Sequence, residues 1–280
     1  MRQINVEIIT QHIADMCCEV NFNLGKDVLS GLKEAFHQEH SPVGREVLHQ
    51  LIENTDISFR EKIPLCQDTG FAVVFLEVGQ EVVVVGGDLE EAINEGVREG
   101  YQRYYLRKSI VKDPLRRENT EDNTPAVIHY DIVPGDTFKI TFVSKGGGSE
   151  NMSRVKMLKP AEGERGIIDF VLETVNTAGA NACPPIVVGV GIGGTFETCT
   201  LLAKKALLRP LNQPNKDKYY ADLEGRILED VNHLGIGPQG FGGSITALAV
   251  HIEFAPTHIA CLPAAVNLNC HASRHLQRIL

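Results

Sequence analysis

The stretch Pro185-Ile186-Val187-Val188-Gly189-Val190-Gly191-Ile192-Gly193-Gly194, followed by residues 195–208, decides the class of fold. A β-branched run bounded by prolines on one side and glycines on the other predicts a strand buried on both faces. The segment after it carries apolar residues at three- and four-residue spacing, which predicts a helix. Strand and helix in direct succession, behind a first fifth that is helical throughout, imply a mixed α+β architecture. The same letters also match G-x-G-x-x-G, so a nicotinamide-dependent dehydrogenase is one reading. The other is that the glycines serve a tight turn and close packing. The residues downstream favour the second: Arg209-Pro210-Leu211-Asn212-Gln213-Pro214-Asn215-Lys216 holds two prolines and no β-branched run, so no second strand is available to carry an acid for the ribose.

Working outward, residues 4–56 are helical in pattern. Val6, Ile9, Ile13 and Met16 recur at three and four, Val28, Leu32 and Phe36 do the same, and Ser41-Pro42 caps a third helix through Val47, Leu48 and Leu51. This predicts an N-terminal helical layer over residues 1–60. Residues 71–78 and 81–85, broken by Gly79-Gln80, read as two strands paired with each other, and 88–105 as a helix. Residues 112–125 are rich in charge and proline and form a surface loop. Strands are expected at 126–133, 137–143, 245–254 and 258–261, and helices at 167–175 and up to about residue 233. A glycine-rich turn lies at 235–243. No internal repeat or linker marks a boundary, so residues 1–280 read as a single domain.

At 280 residues, 43% of them hydrophobic and 22% charged, the chain is neither disordered nor collagen-like. No apolar run is long enough for a transmembrane helix. The 36 acidic against 27 basic residues leave a charge of −9, which disfavours nucleic acid and anionic membrane as partners but permits a local basic pocket for a small acid. The N-terminus lacks the apolar core of a secretory signal, and seven cysteines form no regular framework. Both features predict a reducing, cytoplasmic location.

The cysteines fall into two kinds. Cys17, Cys18, Cys199 and Cys261 lie in apolar-periodic segments, where a thiol acts as a small hydrophobe. Cys66, Cys183 and Cys270 stand in punctuated loops: Pro64-Leu65-Cys66-Gln67-Asp68-Thr69-Gly70, Asn181-Ala182-Cys183-Pro184-Pro185 and Asn267-Leu268-Asn269-Cys270-His271-Ala272-Ser273-Arg274. They are 117 and 87 residues apart, so no compact metal motif joins them, and both coordinated metal and incidental thiols remain open readings. Three thiolates on a cubane iron–sulfur cluster would leave one iron open as a Lewis acid. Gln67, Asp68, His258, His271 and Arg274 around these loops are the donors and bases that a small polar acid requires. Lys145-Gly146-Gly147-Gly148-Ser149 lacks the order of a phosphate loop and serves either as a set of backbone N–H groups for a carboxylate or as a plain hairpin end. Arg107-Lys108 and Arg116-Arg117 are either solvated charge or a fork for a carboxylate.

Taken in order, Cys66-Gln67-Asp68-Thr69-Gly70, Ser144-Lys145-Gly146-Gly147-Gly148-Ser149-Glu150, Cys183-Pro184-Pro185 with the glycines at 189–194, and Asn269-Cys270-His271-Ala272-Ser273-Arg274 closely resemble the alpha subunit of the iron–sulfur hydro-lyases of the class I fumarase and L-tartrate dehydratase family. The resemblance implies an alpha-type catalytic domain and a 4Fe-4S cluster on Cys66, Cys183 and Cys270. It implies catalytic roles for Asp68 and His258, and substrate contacts from Gln67, Arg107 and Gly147. Single-chain members continue into a second domain, whereas this sequence stops ten residues after Cys270. A separate beta subunit, and hence a hetero-oligomer acting on a small dicarboxylate, is the expectation. Reversible hydration of fumarate to L-malate is the first expected activity, with L-tartrate dehydration the alternative.

Overall fold

Asn5 ends a short strand, β1 (Arg2–Asn5), and caps the first helix, α1 (Val6–Phe22), by accepting the Glu7 N–H at 2.9 Å. The computed structural model describes residues 1–280. Its contacts group them into two compact units: Met1–Gly25 with Thr55–Gly147 and Arg274–Leu280, and Lys26–Asn54 with Gly148–Ser273. Each is assembled from segments far apart in sequence, so no linker separates them. The expected N-terminal helical layer is divided as well. Helix α1 belongs to the first unit and α2 (Lys26–Gln38) to the second. Helix α3 (Pro42–Glu61) begins as expected, with Ser41 Oγ accepting the Gly44 N–H at 3.2 Å. The α+β class holds throughout.

In the first unit four strands lie in the order β10 (His275–Ile279), β5 (Phe138–Lys145), β2 (Phe71–Gly79), β4 (Val127–Val133). The expected pairing of residues 71–78 with 81–85 is not formed. Strand β3 (Val82–Val85) pairs in parallel with β1, in register Arg2↔Val82, while β2 runs parallel to β4 and antiparallel to β5. The reason lies in the turn: Gly79, Gln80 and Glu81 donate their N–H groups to Thr137, Val133 and Gly135, so the β4–β5 connection takes the donors that a hairpin would have used. Helix α4 (Leu89–Arg103), capped by Asp88, packs with α1 on this sheet, where Ile9, Ile13, Ile93, Val97 and Tyr101 bury Val74, Leu76, Ile140 and Phe142.

The second unit has a sheet in the order β6 (Arg154–Leu158), β9 (Leu262–Asn269), β7 (Ile186–Gly193), β8 (Ala247–Ala255). Every residue of β7 is buried. Ile186, Val188, Val190 and Ile192 face α6 (Gly163–Ala178) and α8 (Lys218–His233), and the alternate residues face α7 (Phe196–Ala206). A Cβ on Gly189 would stand 2.2 Å from the Ala203 carbonyl oxygen, and one on Gly191 2.0 Å from that of Cys199. These glycines therefore lie within the strand and let α7 press onto it, the close-packing reading. Strand β9 starts later than expected because 258–261 is a turn, and β6 and β10 form where the sequence pattern signals no strand. No helix is long and apolar enough to cross a membrane.

Candidate active site

The loop of residues 64–70 in the first unit is held from below. Tyr101 Oη donates to the Thr69 carbonyl at 2.7 Å, Asn123 Nδ2 to that of Gly70 at 3.3 Å, and Ser144 Oγ also donates to Thr69. Burial pushes the Tyr101 phenol far above its ordinary range, so it remains a donor. Asn21, whose backbone carbonyl accepts the Leu65 N–H at 2.8 Å, receives Arg274 Nη1 on its side chain at 2.9 Å. Arg274 is 1% exposed and its Nε has no partner.

On this base the functional groups line up. The Asp68 N–H points at Cys66 Sγ, 3.4 Å away, and the thiol faces Gln67 Oε1 at the same distance. Asp68 is half-buried, with Oδ1 accepting the Gly70 N–H at 2.9 Å and Oδ2 the Gly147 N–H at 2.8 Å. Gly147 opens the five-residue helix α5 (Gly147–Asn151), with Gly146 alone between it and β5. The glycine run is thus a strand-to-helix corner rather than a hairpin end, and its first helical N–H is occupied by Asp68. Thr69 Oγ1 donates to the Arg107 carbonyl at 3.0 Å, which fixes that backbone while leaving the Arg107 side chain exposed. The first unit therefore brings together Cys66, Gln67, Asp68 and Gly147, with Arg107 tied to the same loop.

In the second unit, Cys183 ends a 3-10 turn (Gly179–Ala182) in a left-handed conformation, φ +54°, just before β7, and Cys270 directly follows β9. Because β7 and β9 are antiparallel, with Val187 opposite Asn269, both thiols leave the same end of the sheet. The His271 N–H donates to the Cys183 carbonyl at 3.3 Å. His258 is not with them. It lies in the exposed turn before β9, its Nδ1 accepting the Ala260 N–H at 3.1 Å, and the eight residues of β9 separate that turn from Cys270 by about 25 Å. His258 thus stands a strand's length from Cys270, because the segment between them includes all of β9.

The donor set fits a thiolate-bound iron–sulfur cluster in kind. Cys17 and Cys199 are buried, Cys18 is partly so, and burial pushes all three thiols up, which disfavours the thiolate that a metal needs. Cys66, Cys183 and Cys270 instead stand half-exposed at loops beside or between regular elements, and Cys66 already has a backbone N–H aimed at its sulfur. No three His, Cys, Asp or Glu side chains converge as a metal-binding group. The three thiols are divided, Cys66 in the first unit and the other two in the second.

Residues 10–278 match the fumarate hydratase (Fumerase) family. The chain belongs to that family. Its fold and motifs are accordingly those of a hydro-lyase family, and the four separated motifs all fall within the matched span. A protein of Methanocaldococcus jannaschii, 43% identical over 273 residues that cover 95% of each chain, bears the provisional name L(+)-tartrate dehydratase subunit alpha. The L(+)-tartrate dehydratase subunits alpha of Escherichia coli strains K12 and UTI89 are each 35% identical over 277 residues, 98% of this chain and 91% of theirs.

Two residues beside the candidate thiol and glycine loops carry no signal in the sequence strong enough to single them out. Gln239 sits in a glycine-rich turn whose letters show only a turn. Lys145 is 1% exposed despite its charge, which the sequence signals only through the glycines after it.

Proposed function

We propose that this chain is the alpha-type subunit of an iron–sulfur hydro-lyase acting on a four-carbon dicarboxylic acid, with a beta subunit completing the working site. The observation that carries the reading is Asp68, a carboxylate two residues from a half-exposed thiol and aimed by the N–H groups of Gly70 and Gly147. A 4Fe-4S cluster on Cys66, Cys183 and Cys270 supplies, when bound, an iron with an open position that acts as a Lewis acid on substrate oxygens.

The chain's own residues account for the rest. Dehydration removes a proton from one carbon and hydroxide from its neighbour, and hydration reverses both. Asp68 takes and returns the carbon-bound proton at a carboxylate oxygen; each oxygen accepts one backbone hydrogen bond and keeps a lone pair for the proton. Gly147 acts by holding Asp68, because its N–H is already committed there. Gln67, exposed beside Cys66, and the Arg107 guanidinium hold the substrate carboxylates, the latter through a planar two-point fork. His258 stands outside this proposal.

L-tartrate is the first substrate to test, since the relatives that cover nearly the whole chain carry that name. Fumarate, which names the family, is the second. The experiment is anaerobic co-expression with a beta subunit, then assay of oxaloacetate from L-tartrate and of L-malate from fumarate. Turnover of either acid by the two-chain, cluster-loaded protein is expected, with little by this chain alone. Equal turnover by the single chain would refute the partner, and none by the loaded pair on either acid would refute the substrate class.

A further inference from the structure

Gln239 joins the two thiol loops of the second unit. It occupies the middle of a 3-10 turn (Pro238–Gly240) with φ +52°, a left-handed conformation that ordinary side chains rarely adopt. The turn is anchored at its far end, where Glu39 accepts the Ser244 and Ile245 N–H groups, each at 2.9 Å. From there Gln239 donates twice to one carbonyl: its backbone N–H reaches Pro184 O at 2.8 Å and its side-chain Nε2 reaches the same atom at 2.6 Å. Turning the amide over would set two acceptors against each other, so Pro184 fixes its orientation. The second hydrogen on Nε2 then faces His271 Nδ1, 3.1 Å away.

A ring nitrogen that accepts a hydrogen bond carries no proton, so neutral His271 bears its proton on Nε2. Nδ1 also lies 3.2 Å from the Cys183 carbonyl, but a proton on Nδ1 would meet the hydrogen that Gln239 Nε2, its orientation fixed by Pro184, directs at the same nitrogen. We infer that Gln239 is a positioning residue that ties the Cys183 loop to the Cys270 loop and holds His271 as its Nε2–H tautomer. Partners of this kind, one bond removed from the atoms that would hold a metal, set the spacing and orientation of the donors. The tie to cluster binding rests on the proposed function, while the tautomer does not.

The test uses the full chain, metal-free, with 15N-labelled histidine at about pH 8, where histidine is neutral. The signal missing from His271→Gln identifies His271. An unprotonated Nδ1 and a protonated Nε2 are expected in the native protein, moving toward a tautomer-averaged position in Gln239→Leu, which cannot donate, and toward a protonated Nδ1 in Gln239→Glu, whose carboxylate only accepts. After anaerobic incubation with iron and sulfide, both variants should retain cluster about 10- to 100-fold less tightly than the native chain, at native-like circular dichroism and thermal midpoint. A merely structural role would lower the midpoint and leave the His271 nitrogens unmoved, and that result overturns the inference. So does a native His271 protonated on Nδ1, or native cluster retention in both variants. A native chain that shows the expected tautomer yet takes up no cluster refutes the iron–sulfur reading and leaves the tautomer assignment standing.

Discussion

Asp68 is the residue on which the proposed chemistry turns, and its surroundings explain why an amide could not replace it. An Asn at 68 can accept one of the two backbone hydrogen bonds through its oxygen, but its NH2 would face either the Gly70 or the Gly147 N–H and cannot take a proton. Asp68→Asn should lower kcat of the two-chain enzyme by about 10²- to 10⁴-fold with a small change in KM, and steady-state kinetics on L-tartrate and fumarate check it. At this scale the sequence was legible where a reactive residue type stands in a punctuated loop, as with Cys66, Asp68, Cys183 and Cys270. It was not legible for Gln239, whose role comes from a carbonyl 55 residues away, nor for His258, whose distance from Cys270 depends on the length of the strand between them.

Elements were legible through their periodicity, and their pairing was not. Helix α4 with its Asp88 cap and α3 with its Ser41 cap follow from local letters, whereas β2 joins β4 and β5 because distant carbonyls capture the Gly79–Glu81 donors. The glycines of β7 show how a motif can be literal and its meaning different. Gly191→Ala would drive a Cβ into the backbone of α7, so this variant should lose about 1–3 kcal/mol by denaturant unfolding. Titration of native protein with a nicotinamide dinucleotide should meanwhile show no binding.

The α2–α3 corner makes a second prediction. Burial raises the proton affinity of Glu39, but the Ser244, Ser41 and Ile245 N–H groups and the Ser244 hydroxyl outweigh it and hold the carboxyl below the ordinary range. A carboxyl depressed in the folded state contributes stability that is fully present above its unfolded value, about pH 4.3, and is lost as pH falls through the lower folded value. Glu39→Gln should cost about 1–3 kcal/mol at neutral pH. Below pH ~4 the native and variant unfolding curves should converge. A constant gap across that range would contradict the assignment.

For the whole molecule, periodicity was enough to indicate a mixed chain, and the helices packed on the two four-stranded sheets bear that out. The division into two units was hidden because each is stitched from separate segments, with α1 in one, α2 in the other and Arg274 returning to the first. The same division places one candidate thiol in the first unit and two in the second, and the proposed cluster takes all three as ligands. Iron and acid-labile sulfide content of the anaerobically reconstituted chain, measured beside Cys66→Ser, Cys183→Ser, Cys270→Ser and Cys261→Ala, tests this most directly. The account predicts about four of each per native chain and per Cys261→Ala chain, with the chromophore lost in all three serine variants. Full iron and sulfide in Cys183→Ser, or none in the native chain, would contradict it.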